Sequence, residues 1–349
     1  MEDRSRSTSS RVGVLLLNLG TPDSPAEQDV RRYLRQFLGD GRVIDIAAPL
    51  RWLLLEAIIL PRRPKIAAEA YRKIWTPQGS PLLVYSRSLQ EGVASVLGEG
   101  FAVELGMRYG SPSIGEAVEK LLALSVRRIV VLPLFPQYAD SSTGSALAEL
   151  DRVLGTGGPK PPLSVIESFC DDSRFIQAFA GIARPLLDPF GADHVLMSFH
   201  GLPERQIRKA DSTGSHCLVS PDCCEARVDA NRNCYRAHCY RTSRALAVAL
   251  SLPPGRHSVS FQSRLGRTPW IRPFTDVVLP ELAARGVRRL AVLSPSFVAD
   301  CLETLEELGI RGREQWRSLG GEELLLVPCP NDSPAWIRGV AEMLRERTA

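Results

Sequence analysis

The chain has 349 residues, 44% hydrophobic and 23% charged, which suits a folded protein of two domains and excludes a largely disordered one. A net charge of +4 is too small and too dispersed to argue for nucleic acid, but is compatible with an anionic small molecule or anionic lipid. Residues 1–11 are polar, rich in Ser and Arg and without the apolar core of a secretory signal, so they are read as a loose tail. The eight cysteines then point to a reducing, cytoplasmic compartment, where thiols serve metals or redox chemistry rather than crosslinks.

In chain order, short apolar runs rich in Val, Ile and Leu fall at 12–19, 101–107, 128–135, 163–169, 194–199, 258–261, 290–293 and 324–327. Segments with helical spacing, such as 114–124 and 275–284, lie between them. That is a repeated βαβ pattern, and continuous apolar runs are how buried parallel strands read. Residues 126–140 match 287–300 in composition and order, so the chain divides into two similar halves. The expected fold is α/β, two doubly wound four-stranded parallel sheets with a cleft between them. The domains are expected at 12–190 and 191–349, with the boundary where Asp-Pro and Gly interrupt the pattern near 187–192. The segment 44–64 fits neither half: an apolar stretch around Trp52 leads into Pro61-Arg-Arg-Pro-Lys65. It is too short and interrupted to span a bilayer, and reads as a core helix, as an interfacial helix or as the mouth of an apolar pocket.

The second half opens with Val195-Leu-Met-Ser-Phe-His200-Gly-Leu-Pro-Glu204, an apolar strand that carries a histidine to its tip. Strand C-termini face the ligand crevice of open α/β sheets, so His200 is a candidate for chemistry. Farther on, Asp300, Glu303 and Glu307 follow another strand. On an α-helix starting at Asp300 their spacing puts them on one face. An acidic first helical turn is common for reasons of the helix dipole alone. Together with His200, however, the row reads as a path for protons stripped from a ligand.

Between these features lies an insertion, 211–240, holding Cys217-x₅-Cys223-Cys224-x₉-Cys234-x₄-Cys239. Thiols packed this closely suit a [2Fe–2S] cluster or a Zn²⁺ site, in which His216 and His238 could substitute.

Asn18-Leu-Gly-Thr-Pro22, Gln78-Gly-Ser-Pro-Leu82, Met107-Arg-Tyr-Gly110, Phe135-Pro-Gln-Tyr138, Ser142-Thr-Gly-Ser145, Phe199-His-Gly-Leu-Pro203, Phe261 through Trp270 and Phe297 through Glu306 resemble the ferrochelatase family, in order and over nearly the whole chain. The resemblance implies insertion of Fe²⁺, as substrate, into protoporphyrin IX with loss of two protons. It implies that His200 faces the ring as proton acceptor or metal contact, with Glu303 its partner across the cleft. Asp300 and Glu307 would continue the acidic path. Leu19, Arg108, Tyr109, Tyr138 and Trp270 match pocket positions around the macrocycle or the iron route. Segment 44–64 matches a pocket lip that reaches toward a membrane surface, so the expected location is cytoplasmic and peripheral on the inner face of the cell membrane. The expected assembly is a monomer or homodimer.

Asp140 stands where some animal relatives carry a cluster cysteine, and their C-terminal cysteine triplet is absent. The internal segment instead resembles that of a subset of bacterial members. Since adjacent residues rarely ligate together, the expected cluster ligands are Cys217, Cys224, Cys234 and Cys239, with Cys223 able to replace Cys224. Two other readings stay open: a chelatase acting on coproporphyrin or another metal, and a non-catalytic tetrapyrrole or iron–sulfur sensor. An intact His200 and Glu303 argue against the sensor, because a binder needs no proton path.

Overall fold

The computed structural model describes residues 11–155, 160–266 and 268–348. Most of the expected tail, residues 1–10, lies outside them. Eight strands form two sheets: β1 (Val12–Gly20), β2 (Phe101–Tyr109), β3 (Arg128–Pro133) and β4 (Leu163–Val165), then β5 (His194–His200), β6 (His257–Gln262), β7 (Arg289–Leu293) and β8 (Glu323–Leu326). Their orders are β2-β1-β3-β4 and β6-β5-β7-β8, and every ladder is parallel. The central strands β1 and β5 are buried along nearly their whole length, which explains why they read as continuous rather than alternating apolar runs.

Local signals set the connections. Ser113 and Glu116 form a reciprocal capping box at the start of the helix Ile114–Ala123, satisfying backbone donors that the first turn leaves free. The helix Ser173–Phe190 starts on the Asp172 side chain and ends at Gly191 in a left-handed conformation with φ of 60°, a shape only glycine adopts at little cost. β5 follows directly.

One core crosses both sheets, taking in Leu16 and Val130 from the first and Met197 and Ala291 from the second. The last helix, Pro334–Glu346, returns to the first half and packs on the helices Ser173–Phe190 and Pro81–Leu97. Its fully buried Trp336 packs tilted on Phe169 and edge-on to Phe175, with ring centroids 5.6 and 5.7 Å apart. Trp336→Ala should therefore cost about 3–5 kcal/mol, read by urea unfolding; a loss under about 1 kcal/mol would mean that this helix does not brace the first half.

Candidate functional site

His200 is the last residue of β5, opposite Gln262 at the end of β6. The next residue has to be small, because a Cβ on Gly201 would stand 2.8 Å from the Gln262 carbonyl oxygen and 3.3 Å from the Trp270 ring. This close approach lets the chain turn out of the sheet against its neighbour. The imidazole is held by the main chain of the next residue, with Nδ1 2.6 Å from the Gly201 carbonyl oxygen. A carbonyl can only accept, so Nδ1 carries the proton and the neutral ring presents Nε2 as a lone pair.

Gln262 joins the histidine strand to the acidic row. Its Nε2 donates to the Glu303 carbonyl at 2.9 Å and to Glu307 Oε2 at 3.3 Å, while its Oε1 accepts from Ser198 Oγ. The three carboxylates sit in three different environments. Glu307 accepts from the Ser263 N–H and, at 2.5 Å, from the Ser263 hydroxyl. Asp300 accepts from Thr304 Oγ1 and from the Cys329 N–H in buried contacts and from Asn331 Nδ2 in a partly buried one. Glu303 has as neighbours the Cys301 thiol and the phenols of Tyr33 and Tyr71. Burial pushes all three of these groups well up, so they face Glu303 as neutral groups at neutral pH.

The expected α-helix starting at Asp300 is not formed. The segment Glu303–Gly312 winds as a π-helix, with i→i+5 bonds, a rare form that is frequent at functional sites. Asp300 lies ahead of it, tied to Asn331 by exchanged hydrogen bonds through its N–H and carboxylate. The three acids therefore do not share one α-helical face. A shorter π-helix, Asp140–Gly144, occupies the same place after β3 in the first half.

In the first half, Leu19 is half-buried beside Gly20, whose φ is 110° and whose Cβ would collide with the Tyr109 carbonyl at 1.7 Å. Arg108 and Tyr109 turn their polar atoms inward. Asp40 Oδ2 accepts from Arg108 Nη2 at 2.7 Å, Tyr109 Oη at 2.9 Å and Ser145 Oγ at 2.5 Å. Burial raises the Asp40 carboxyl, but the bonds from Ser145, the Arg42 N–H and Tyr109, with the Arg108 charge, outweigh it and hold the pKa below its ordinary value. Tyr138 is half-buried and lines a cavity of about 250 Å³ with Asp140, Leu202, Gln206, Lys209 and Tyr235. Asp140 pairs with Arg42 at 2.7 Å and Lys209 at 3.8 Å. Trp270 lies against Gly201 and donates Nε1–H to the Leu265 carbonyl at 2.8 Å.

All five thiols of the insertion are buried. Cys223 and Cys224 have sulfurs 3.8 Å apart, and the Cys234 thiol interacts with those of Cys217 and Cys224. Cys239 lies within electrostatic reach of Cys224 and Cys170. Arg236 Nη1 points at the sulfurs of Cys224 and Cys223, at 3.1 and 3.6 Å. The Asp211 carboxylate collects the N–H groups of Thr213, His216 and Cys217, and these bonds pull its pKa far down. Both histidines of the insertion are spoken for: His216 Nε2 faces the Cys223 carbonyl, and His238 Nε2 faces the Arg232 carbonyl. Among the described residues, no three His, Cys, Asp or Glu side chains are grouped as a single metal ion would require. Asp40, Ser296 and Tyr235 carry no motif and were not singled out from sequence, and Ser145, Gln262 and Ser263 fall inside matched motifs without being given a role there.

Comparison with known proteins is consistent along the chain. A family model described as Ferrochelatase matches residues 11–348. A protein named Ferrochelatase from Azotobacter vinelandii is 53% identical over 333 residues, covering 95% of this chain and 98% of its own. One of the same name from Coxiella burnetii is 47% identical over 337 residues, covering 97% and 94%. Among solved structures, SirB from Bacillus subtilis with Fe³⁺ shares the fold with a TM-score of 0.53 at 13% identity, covering 97% of this chain and 96% of that one.

The Asp40 network sets a test. Asp40→Ala removes the shared carboxylate acceptor of Arg108, Tyr109 and Ser145, leaving Arg108 its bonds to Ser145 and the 4.0 Å Glu149 contact, and should cost about 2 kcal/mol at neutral pH. A depressed carboxylate pKa means that its stabilisation is present above the ordinary value and lost as pH falls through the folded one. In urea unfolding, the gap between wild type and variant should narrow below about pH 4; a gap independent of pH would show that the charge contributes nothing.

Proposed function

This chain belongs to the ferrochelatase family and is a lyase that inserts ferrous iron into protoporphyrin in haem synthesis, and from that premise we propose how its own residues carry the reaction. Two pyrrole N–H protons must leave as the metal enters the ring, so the site needs a base beside the macrocycle and an acceptor beyond it. The observation that carries the assignment is the 2.6 Å contact of His200 Nδ1 with the Gly201 carbonyl. It orients the ring, holds its tautomer and leaves Nε2 to take a proton or contact the metal. Glu303, whose main chain Gln262 fixes next to the histidine strand, is the partner carboxylate. Leu19, Tyr138 and Trp270 face the macrocycle, Arg108 and Tyr109 act through Asp40, and Asp300 and Glu307 brace the π-helix while continuing the acidic path. His200→Ala should lower kcat more than about 100-fold while protoporphyrin still binds; turnover near wild type would place the base elsewhere.

The lip supports peripheral attachment to a membrane. Leu50, Trp52, Leu53, Ile58 and Ile66 are each more than half exposed, and Arg62, Arg63 and Lys65 are exposed beside them. Among the described residues no helix is long and apolar enough to cross a membrane, so the contact would be interfacial, with apolar area buried and basic side chains meeting anionic lipid. Replacing Leu50, Trp52 and Leu53 by Ser should weaken sedimentation with anionic vesicles by at least about tenfold, and unchanged binding would remove the lip from this role.

The thiol group fits a [2Fe–2S] cluster in the chemistry of its donors: several buried thiols within reach of each other, with an arginine aimed at two sulfurs. Such a cluster supplies electron storage or structural ligation, and metal insertion into a porphyrin consumes no electron. Cys217, Cys224 and Cys234 are the connected set, Cys239 takes the fourth place, and Cys223 stands as the alternative to Cys224. Protein purified without oxygen should show thiolate-to-iron absorption that bleaches on reduction. Cys217→Ser, Cys234→Ser and Cys239→Ser should each abolish it, and of Cys223→Ser and Cys224→Ser one should abolish it and the other spare it; a colourless wild type would turn the insertion toward zinc or free thiols.

A further inference from the structure

The helix Tyr235–Ala249 runs out of the cysteine segment, with Cys234 as its N-terminal cap and Cys239 in its second turn. Its inward face also reaches both sides of the site. Tyr235 Oη donates to the His200 carbonyl at 2.9 Å and lies 3.0 Å from Ser296 Oγ. Ser296 Oγ in turn accepts the His200 N–H at 3.0 Å. On that side His200 has no ladder partner, since β5 pairs with β7 only as far as Met197 opposite Leu293. Tyr235 and Ser296 thus hold both main-chain polar groups of the histidine beyond the end of the ladder.

Three residues farther along, on the same face, His238 Nδ1 accepts the Tyr138 N–H at 3.1 Å while Nε2 donates to the Arg232 carbonyl at 2.7 Å. One turn later, Thr242 Oγ1 accepts from Gln137 Nε2 at 2.9 Å. Tyr235, His238 and Thr242 are all buried. A single helix therefore grips the strand end of the second half and the Phe135-Pro-Gln-Tyr138 turn of the first.

We infer that Tyr235 and His238 are positioning residues for iron insertion: Tyr235 sets the main chain of His200, His238 sets that of Tyr138, and the helix fixes the separation of base and macrocycle wall. This rests on His200 being the base and Tyr138 facing the porphyrin. It also gives the cysteine segment a mechanical route to the site, through hydrogen bonds rather than electrons.

The test combines steady-state kinetics, protoporphyrin affinity read by fluorescence quenching without iron, and thermal midpoints. Tyr235→Phe removes one oxygen and keeps the ring. It should lower kcat about tenfold, with the KM for protoporphyrin within about twofold of wild type and the visible spectrum unchanged. His238→Leu should weaken protoporphyrin binding about tenfold, whereas His238→Asn, whose Oδ1 can still accept the Tyr138 N–H, should restore it. Wild-type kcat in Tyr235→Phe would overturn the tyrosine's role, and equal binding by the Leu and Asn variants would overturn the histidine's. If His238→Leu does not fold, the Tyr235→Phe arm decides. His200→Ala is measured alongside: turnover in that variant would sink the underlying reading, while its loss together with a wild-type Tyr235→Phe would sink this inference alone.

Discussion

The site depends on how closely two parallel strands approach at one point. Gly201 must pass under the Gln262 carbonyl where a Cβ would stand 2.8 Å away, and the same glycine supplies the carbonyl that orients the His200 ring. Gln262, opposite His200 in the ladder, then reaches over to fix the start of the π-helix that bears Glu303. Base, turn and carboxylate are positioned by one register. A slip of one residue in β5 would turn the histidine to the other face of the sheet.

The first half repeats the device with other side chains. Leu19-Gly20-Thr-Pro22 stands where His200-Gly201-Leu-Pro203 does, and Gly20 passes under the Tyr109 carbonyl as Gly201 passes under that of Gln262. Each half follows its third strand with a π-helix. Aligning Asp140 with Asp300 sets Thr143 at the place of Glu303, and Thr143 is fully buried, its hydroxyl unpaired among the described residues. One fold thus appears twice, with the titratable pair in the second copy and an apolar or neutral pair in the first, an asymmetry that suits a site with a base on one wall and an apolar wall opposite it.

Much of this was legible in the sequence because burial writes itself into composition. The strands read as Val, Ile and Leu runs, and the halves as a repeat. The run at 163–169 was read too long: β4 pairs with β3 for only three residues, and Phe169 leaves the sheet to bond the Pro136 carbonyl and pack on Trp336. The acidic row was misread because sequence spacing presumes α-helical turns, and nothing in Glu303-Thr-Leu-Glu-Glu announces a π-helix. Asp40, Gln262 and Tyr235 were given no role because theirs come from partners 35 to 105 residues distant. The return of the last helix to the first half is likewise a matter of tertiary packing, since its amphipathic pattern names no partner.

The central claim is that neutral His200 carries its proton on Nδ1 and leaves Nε2 to the substrate. Nitrogen-15 NMR of the histidine side chains tests it directly. With five histidines in the chain, the His200 signals can be assigned by their loss in a variant at that position. With the ring neutral, the account predicts a pyrrole-type shift at Nδ1 and a pyridine-type shift at Nε2, whereas the opposite pattern would contradict it, because the ring would then present an N–H, not a base, to the porphyrin.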